Sequence, residues 1–189
     1  MRLALLGGSF NPVHLGHLGI AAQVREALGY QRVVFVPAST PVHKSFEGDA
    51  GAEHRLAMLR LAIRGRRGFG VDDCELRRGG KSYTIDTVRE YLRGGRVEGK
   101  LGLIVGDDLI EEFHTWKDAR TLAELVDLVV VRRQSTGPLR SPFPCRVLDN
   151  ALSPISSSDI RRRLRAGQSI RGLVPQSVRR YIERHGLFA

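Results

Sequence analysis

No stretch of this 189-residue chain approaches the roughly 18–20 uninterrupted apolar residues that a membrane-spanning helix needs. The best candidate, residues 125–131, is short and carries Asp127. The apolar start, residues 3–6, stops at Gly7-Gly8 and runs into Asn11, Pro12 and His14. That is too early for the apolar region of a secretory signal, so a first buried strand in a cytoplasmic protein is expected. There are only two cysteines, Cys74 and Cys145, with no CxxC and no histidine at zinc spacing. This argues against a disulfide scaffold or a structural zinc site, and both thiols read as small core residues. Lysine is scarce too: Lys44, Lys81, Lys100 and Lys117 are four of the 30 basic residues, the rest being arginine. The net charge of +10 favours anionic partners without choosing among them. So strong a tilt to arginine also reflects genome composition, and the charge is discounted as a sign of nucleic-acid binding.

Two common nucleotide signatures are absent. There is no GxGxxG, and Gly80-Lys81-Ser82 imitates only the end of a P-loop, whose first glycine would fall on Glu75. No repeat, low-complexity tract or long linker divides the chain, so one domain over residues 1–189 is expected.

What is present alternates. Short apolar runs at residues 3–6, 33–36, 101–105 and 128–131 read as buried parallel strands, with a looser strand over 69–76; Pro138 to Pro144 breaks the chain before Arg146 to Leu148. Helical spacing follows residues 18–28, with Gly29 as a stop, and marks 52–64, 84–92, 107–113, 118–125, 157–164 and 175–184. Residues 38–51 and the basic stretch 77–81 read as loops. Strands alternating with helices predict an α/β fold, a Rossmann-like doubly wound parallel sheet with helices on both faces.

The most informative loop joins the first strand to the first helix: Gly7-Gly8-Ser9-Phe10-Asn11-Pro12-Val13-His14-Leu15-Gly16-His17. Ligands of doubly wound sheets bind at the carboxyl ends of strands. Two glycines there let backbone N–H groups approach a ligand, and the following helix offers more at its positive end. A metal site is not expected, because the HExxH glutamate and a third ligand are missing. Surface or capping histidines are the ordinary alternative; two histidines after a Gly-Gly turn at a strand end favour phosphate contact.

Near the other end, Ile155-Ser156-Ser157-Ser158-Asp159-Ile160-Arg161 reads as a serine-rich helix start. Its hydroxyls can cap N–H groups or reach phosphate, and Arg161 can donate in a forked geometry. Read alone, it is an ordinary capped, basic helix.

Together these segments carry a resemblance. His14-Leu15-Gly16-His17 resembles the HxGH signature of the nucleotidyltransferase superfamily, which includes class I aminoacyl-tRNA synthetases, and residues 155–161 resemble its ISSTxIR element, with Ser158 in place of threonine. Between them the chain resembles the nicotinate-nucleotide adenylyltransferase family. Residues 37–44, ending in His43-Lys44, are similar to its PxxxPPHK loop with Val42 for a proline; Glu75 through Thr84 is similar to ExxRxGxSYT; and Gly106-Asp107-Asp108 followed by Trp116-Lys117 is similar to its GxD…W segment.

The resemblance implies transfer of AMP from ATP to nicotinate mononucleotide, as part of NAD biosynthesis. Implied catalytic residues are His14, His17, Lys44 and Arg161, with ATP also contacted by Gly7, Gly8, Ser9, Phe10, Ser157 and Ser158. Ser82, Tyr83, Thr84, Gly106, Asp107 and Trp116 would bind the acceptor. The chemistry of these residues agrees: a helix starting at Thr84 suits a carboxylate, Tyr83 or Trp116 can stack on a pyridine ring, and Asp107 at a strand end can accept from ribose hydroxyls. Each has a plainer alternative, in a solvated Lys44, a core Trp116 and an N-cap Asp107. Mg²⁺ would arrive with ATP and keep several waters, so no dedicated protein cage is expected. A homo-oligomer is compatible with all of this. The rival acceptors are nicotinamide mononucleotide and phosphopantetheine. A basic nucleic-acid-binding module is the rival from another class, and the scattered placement of the arginines speaks against it.

Overall fold

The computed structural model describes residues 1–40, 48–95, 97–132, 139–148 and 154–189. In chain order the elements are β1 (Leu3–Gly8), α1 (Leu15–Leu28), β2 (Arg32–Pro37), α2 (Ala52–Ile63), β3 (Phe69–Val71), α3 (Cys74–Arg78), α4 (Thr84–Arg93), β4 (Leu101–Gly106), α5 (Asp107–Ile110), a 3-10 turn (Phe113–Thr115), α6 (Ala119–Leu125), β5 (Val126–Val131), β6 (Arg146–Leu148), α7 (Ser157–Arg165) and α8 (Gln176–His185). The strands form one six-stranded sheet in the order β3-β2-β1-β4-β5-β6, and every neighbouring pair is parallel. The predicted Rossmann-like α/β architecture is the one observed. The order reverses between β1 and β4, and in such sheets the crevice beyond that reversal is where ligands bind.

Strand alternation divides the core in two. Ala4 and Leu6 of β1, Val33 and Phe35 of β2 and Val129 and Val131 of β5 face one way, against Leu18 and Val24 of α1, Met58 and Leu59 of α2, Ile160 of α7 and Val178 and Ile182 of α8. Leu3 and Leu5, Val34 and Val36, and Leu103 and Val105 face the other way, against Cys74 of α3, Ile85 and Val88 of α4, Ile110 of α5 and Leu122 of α6. Each large aliphatic side chain so buried contributes about 1.5–3 kcal/mol. A one-residue register slip would exchange the two faces, so this alternation pins the pairing.

Asp127, the one charge in the apolar run of β5, is put to use. It accepts from the Tyr30 hydroxyl at 3.1 Å and from Arg146 Nε of the edge strand β6 at 3.0 Å. Burial, with the Asp127 carboxylate alongside, pushes the Tyr30 phenol up to about 12. Tyr30 in turn explains Gly102 in the middle of β4, since a Cβ there would lie 2.6 Å from the Tyr30 ring and 2.9 Å from Ala4 Cβ.

One expected element differs. The strand predicted over 69–76 ends at Val71, and residues 74–78 are helical. Asp72 Oδ1 accepts from Cys74 N–H at 3.0 Å, which turns the chain, and Arg77 Nε reaches Asp73 Oδ1 at 2.7 Å across one helical turn. Local side-chain-to-backbone bonding of this kind competes with the sheet ladder.

Candidate active site

The glycine ends of β1 and β4 flank the reversal. Gly8 pairs with Pro37 of β2, and Gly106 with Val131 of β5, so the loops after β1, β2 and β4 open at the same edge. Gly7 is exposed at the end of an otherwise buried strand, and a Cβ built on it meets nothing within 4 Å. The backbone at Gly7 therefore borders open space on its side-chain face, where a ligand can approach closely.

Phe10 then takes a left-handed conformation, φ +50°. For a non-glycine residue this costs on the order of 1–3 kcal/mol. The ring offsets it: Phe10 is 1 % exposed and stands edge-on to Phe35, at 5.7 Å between centroids, and to His17, at 5.0 Å. The Phe10 side chain thus belongs to the core and braces His17, leaving only its backbone to border the cleft.

His14 is the N-cap of α1 and is 2 % exposed; His17 lies in the first turn, half-buried. Their rings stack at 3.6 Å with 28° between planes, and the His14 backbone N–H donates to His17 Nδ1 at 3.3 Å. That bond fixes a tautomer. With Nδ1 accepting, the neutral His17 ring carries its proton on Nε2, as a donor. Of the two histidines, His14 holds the N-cap position closed to solvent, and His17 is the more open ring.

The C-terminal signature docks directly on this loop. Arg161 Nη1 donates to the Asn11 carbonyl at 2.8 Å and Nη2 to Ser158 Oγ at 3.3 Å; Ser157 Oγ donates to the Pro12 carbonyl at 2.9 Å. Ser156 is the capping serine of α7, accepting from Asp159 N–H at 3.0 Å. Burial pushes the Arg161 guanidinium below its ordinary value, Arg165 adds to that, and Asp49 opposes it. Asp159 binds both Arg162 and Arg163, and the Arg163 hydrogen bond leads in holding its carboxyl below the usual range.

Ser82, Tyr83 and Thr84 stand at the start of α4, with Tyr83 as its N-cap. Ser82 Oγ accepts from Ser39 N–H at 2.8 Å, and Ser82 N–H donates to the Thr40 carbonyl at 3.1 Å, so the Ser82 side chain ties two loops together. Behind it lies Glu75, buried, accepting from Thr87 Oγ1 at 2.7 Å. Burial raises the Glu75 carboxyl, against hydrogen bonds from Thr87 and Ser82 and the nearby Arg78 charge. Lys117 Nζ lies 4.6 Å from the centre of the Tyr83 ring and 3.1 Å from Asp86 of α4, which brings the Trp116-Lys117 segment against the start of that helix. Trp116 itself is half-buried and leans on Phe113 at 4.9 Å. Gly106 caps α5 and Asp107 is its first residue. Lys44 lies outside the described residues. Neither cysteine is disulfide-bonded, and burial pushes the Cys74 thiol up to about 12. Among the described residues no three His, Cys, Asp or Glu side chains gather where they could hold a metal ion.

The sequence model of the cytidylyltransferase-like family matches residues 5–163. A probable nicotinate-nucleotide adenylyltransferase from Treponema pallidum is 42% identical over 202 residues, covering 100% of this chain and 99% of its own. One from Borrelia garinii subsp. bavariensis is 38% identical over 188 residues, covering 100% and 95%. The chain belongs to the nicotinate-nucleotide adenylyltransferase family. Its fold is similar to that of Plasmodium falciparum nicotinic acid mononucleotide adenylyltransferase complexed with NaAD, with TM-score 0.79 at 19% identity over 99% of this chain and 97% of that one.

Two residues of the site escaped the family signatures. Asn11, 3 % exposed, donates from Nδ2 to the Gly48 carbonyl at 3.2 Å and accepts at Oδ1 from Ala50 N–H at 3.1 Å, anchoring the far end of the loop that contains Lys44. The other is Arg55 of α2. Its signal was available: positions 55, 58, 59 and 62 are the buried residues of α2, a helical stripe with an arginine where an apolar side chain belongs.

Proposed function

We infer that the chain transfers AMP from ATP to nicotinate mononucleotide, giving nicotinate adenine dinucleotide and pyrophosphate. One observation carries the site: α7 is clamped to the loop after β1 by Arg161 on Asn11 and Ser157 on Pro12, which brings two signatures about 150 residues apart into one anion-binding corner. The names of the full-length relatives support the acceptor.

A phosphate oxygen of the acceptor attacks the α-phosphorus of ATP; the new O–P bond forms as the bond to the β-phosphate oxygen breaks, and pyrophosphate leaves in line. The attacking phosphate monoester is already ionised at neutral pH, so no general base is required and catalysis reduces to positioning and charge stabilisation. The backbone N–H groups of Gly7, Gly8, Ser9 and Phe10 line the phosphate path, and His17 Nε2 donates to a phosphate oxygen with the buried His14 ring stacked against it. Arg161 keeps one N–H on Asn11 and one on Ser158 while its other donors face the triphosphate, joined by the Ser157 backbone N–H, Ser158 and Lys44. At the acceptor end, the first turn of α4 at Thr84 receives the nicotinate carboxylate, Tyr83 and Trp116 flank its ring, Gly106 and Asp107 hold the ribose, and Ser82 fixes the loop between them. Mg²⁺ would arrive with ATP, keep several of its waters and screen the phosphate charge. The reaction belongs to the cytoplasm, within one domain spanning 1–189.

Pyrophosphate release with ATP and Mg²⁺ tests this, with nicotinate mononucleotide, nicotinamide mononucleotide and phosphopantetheine compared side by side. The expected result is a clear preference for the nicotinate compound, in kcat/KM. Equal or better turnover of either rival moves the acceptor assignment. No release with any of them, together with DNA binding that weakens steeply with salt, would favour a nucleic-acid-binding protein.

A further inference from the structure

Arg55 is 1 % exposed, a charged group on the apolar stripe of α2. Burying a charge costs several kcal/mol unless it is fully matched, and a well-packed apolar residue often serves stability as well or better. Stability therefore gives no reason for an arginine here. Its contacts do. Nη1 donates to the Ser9 carbonyl at 3.0 Å and to the Ala38 carbonyl at 2.7 Å, Nη2 donates to the Ser39 carbonyl at 3.3 Å, and Nε lies 3.1 Å from Asp49 Oδ1. Ser9 belongs to the loop after β1, where the triphosphate is placed. Ala38 and Ser39 belong to the loop after β2, and the Ser39 N–H is held by Ser82 on the acceptor side. Ala38 N–H also donates to the Gly8 carbonyl at 2.9 Å. A single planar fork thus joins the loop after β1 to the loop after β2, which Ser82 ties to the acceptor side, a geometry a lysine ammonium cannot reproduce.

We propose that Arg55 is a positioning residue that sets the spacing between the loop after β1 and the loop after β2, which Ser82 ties to the acceptor side, and through it the alignment of the attacking phosphate with the α-phosphorus. This rests on the adenylyl-transfer reading above. Arg55 touches neither the substrates nor the reacting atoms, so its effect falls on alignment more than on the affinity of either half-site.

The test compares wild type with Arg55→Lys, and with Arg55→Met, which fills the same stripe without a charge should the lysine variant fail to fold. Two readouts are taken below the unfolding temperature. In steady-state kinetics with both substrates varied, kcat falls about tenfold while KM for ATP and for nicotinate mononucleotide each stay within about threefold, the pattern of misalignment. In amide hydrogen exchange without substrate, Ala38 and Ser39 exchange about tenfold faster, reporting release of the junction. A folded variant with kcat within about twofold of wild type overturns the proposal. So does a rise in KM for ATP alone with kcat unchanged, or unaltered exchange at Ala38 and Ser39. Wild type that releases no pyrophosphate with nicotinate mononucleotide sinks the substrate reading, and the exchange measurement then decides Arg55 by itself.

Discussion

His17→Ala lowers kcat for pyrophosphate release about 10²–10³-fold, the range for removing one pre-aimed donor from a developing oxyanion. The reason is the bond that fixes its tautomer. His14 N–H occupies His17 Nδ1, so the neutral ring has a single donor, Nε2–H, held in place by the stack on His14 and by the edge of Phe10. Such a donor costs little reorganisation when charge builds on the α-phosphate. KM for ATP changes much less than kcat, because the backbone N–H groups and Arg161 still hold the triphosphate. Truncation of the half-buried ring costs on the order of 1 kcal/mol in unfolding free energy, in line with an average substitution, so thermal unfolding separates the catalytic loss from a folding defect. A kcat within about threefold of wild type would assign His17 to capping alone.

Arg161→Gln lowers kcat/KM for ATP about 10²-fold. A hydrogen bond to a charged group contributes about 1.5–3 kcal/mol, and about 1.4 kcal/mol is tenfold. The substitution removes both the donor on the Asn11 carbonyl and the charge proposed to face the triphosphate. Arg161→Lys separates the two: a lysine restores the charge but not the fork, so it recovers less than about a tenth of the lost activity if the clamp on Asn11 matters as much as the charge. Full recovery by lysine would reduce Arg161 to a point charge, and unaltered kinetics in both variants would remove it from the site.

The sheet could be read in the sequence because a strand covered on both faces must be apolar throughout. Residues 3–6, 33–36 and 101–105 each lie within an observed strand, and Gly29 stops α1 at a left-handed φ of +67°. Residues 72–76 misled because the spacing of Phe69, Val71 and Cys74 carries no trace of the Asp72 and Asp73 side-chain bonds that bend the chain into α3. At the site, HxGH and the serine-rich helix start were visible as segments, but their contact across 150 residues of separation between Asn11 and Arg161 was not. Nor could spacing tell which serine caps α7; packing gives that role to Ser156 and turns Ser157 toward Pro12. Phe10 and Ser82 entered as ligand-contacting residues through their neighbours in a motif. Folded, the Phe10 ring lies in the core and the Ser82 hydroxyl bridges two loops. Arg55 was passed over because a charge near a helix start ordinarily faces solvent, although its helical spacing to the apolar positions 58, 59 and 62 pointed it inward.

Whether the two signatures form one phosphate site is decided by a double-mutant cycle. Pyrophosphate release would be compared in wild type, His17→Ala, Arg161→Gln and the double variant, at fixed ATP and nicotinate mononucleotide. If both side chains stabilise the same transferring phosphoryl group, their losses overlap, and the double variant falls short of the product of the single losses by about tenfold, a coupling of about 1.4 kcal/mol. Losses that simply multiply, to within about twofold, would mean that the histidine pair and the α7 arginine act independently, and the single-site account would be wrong.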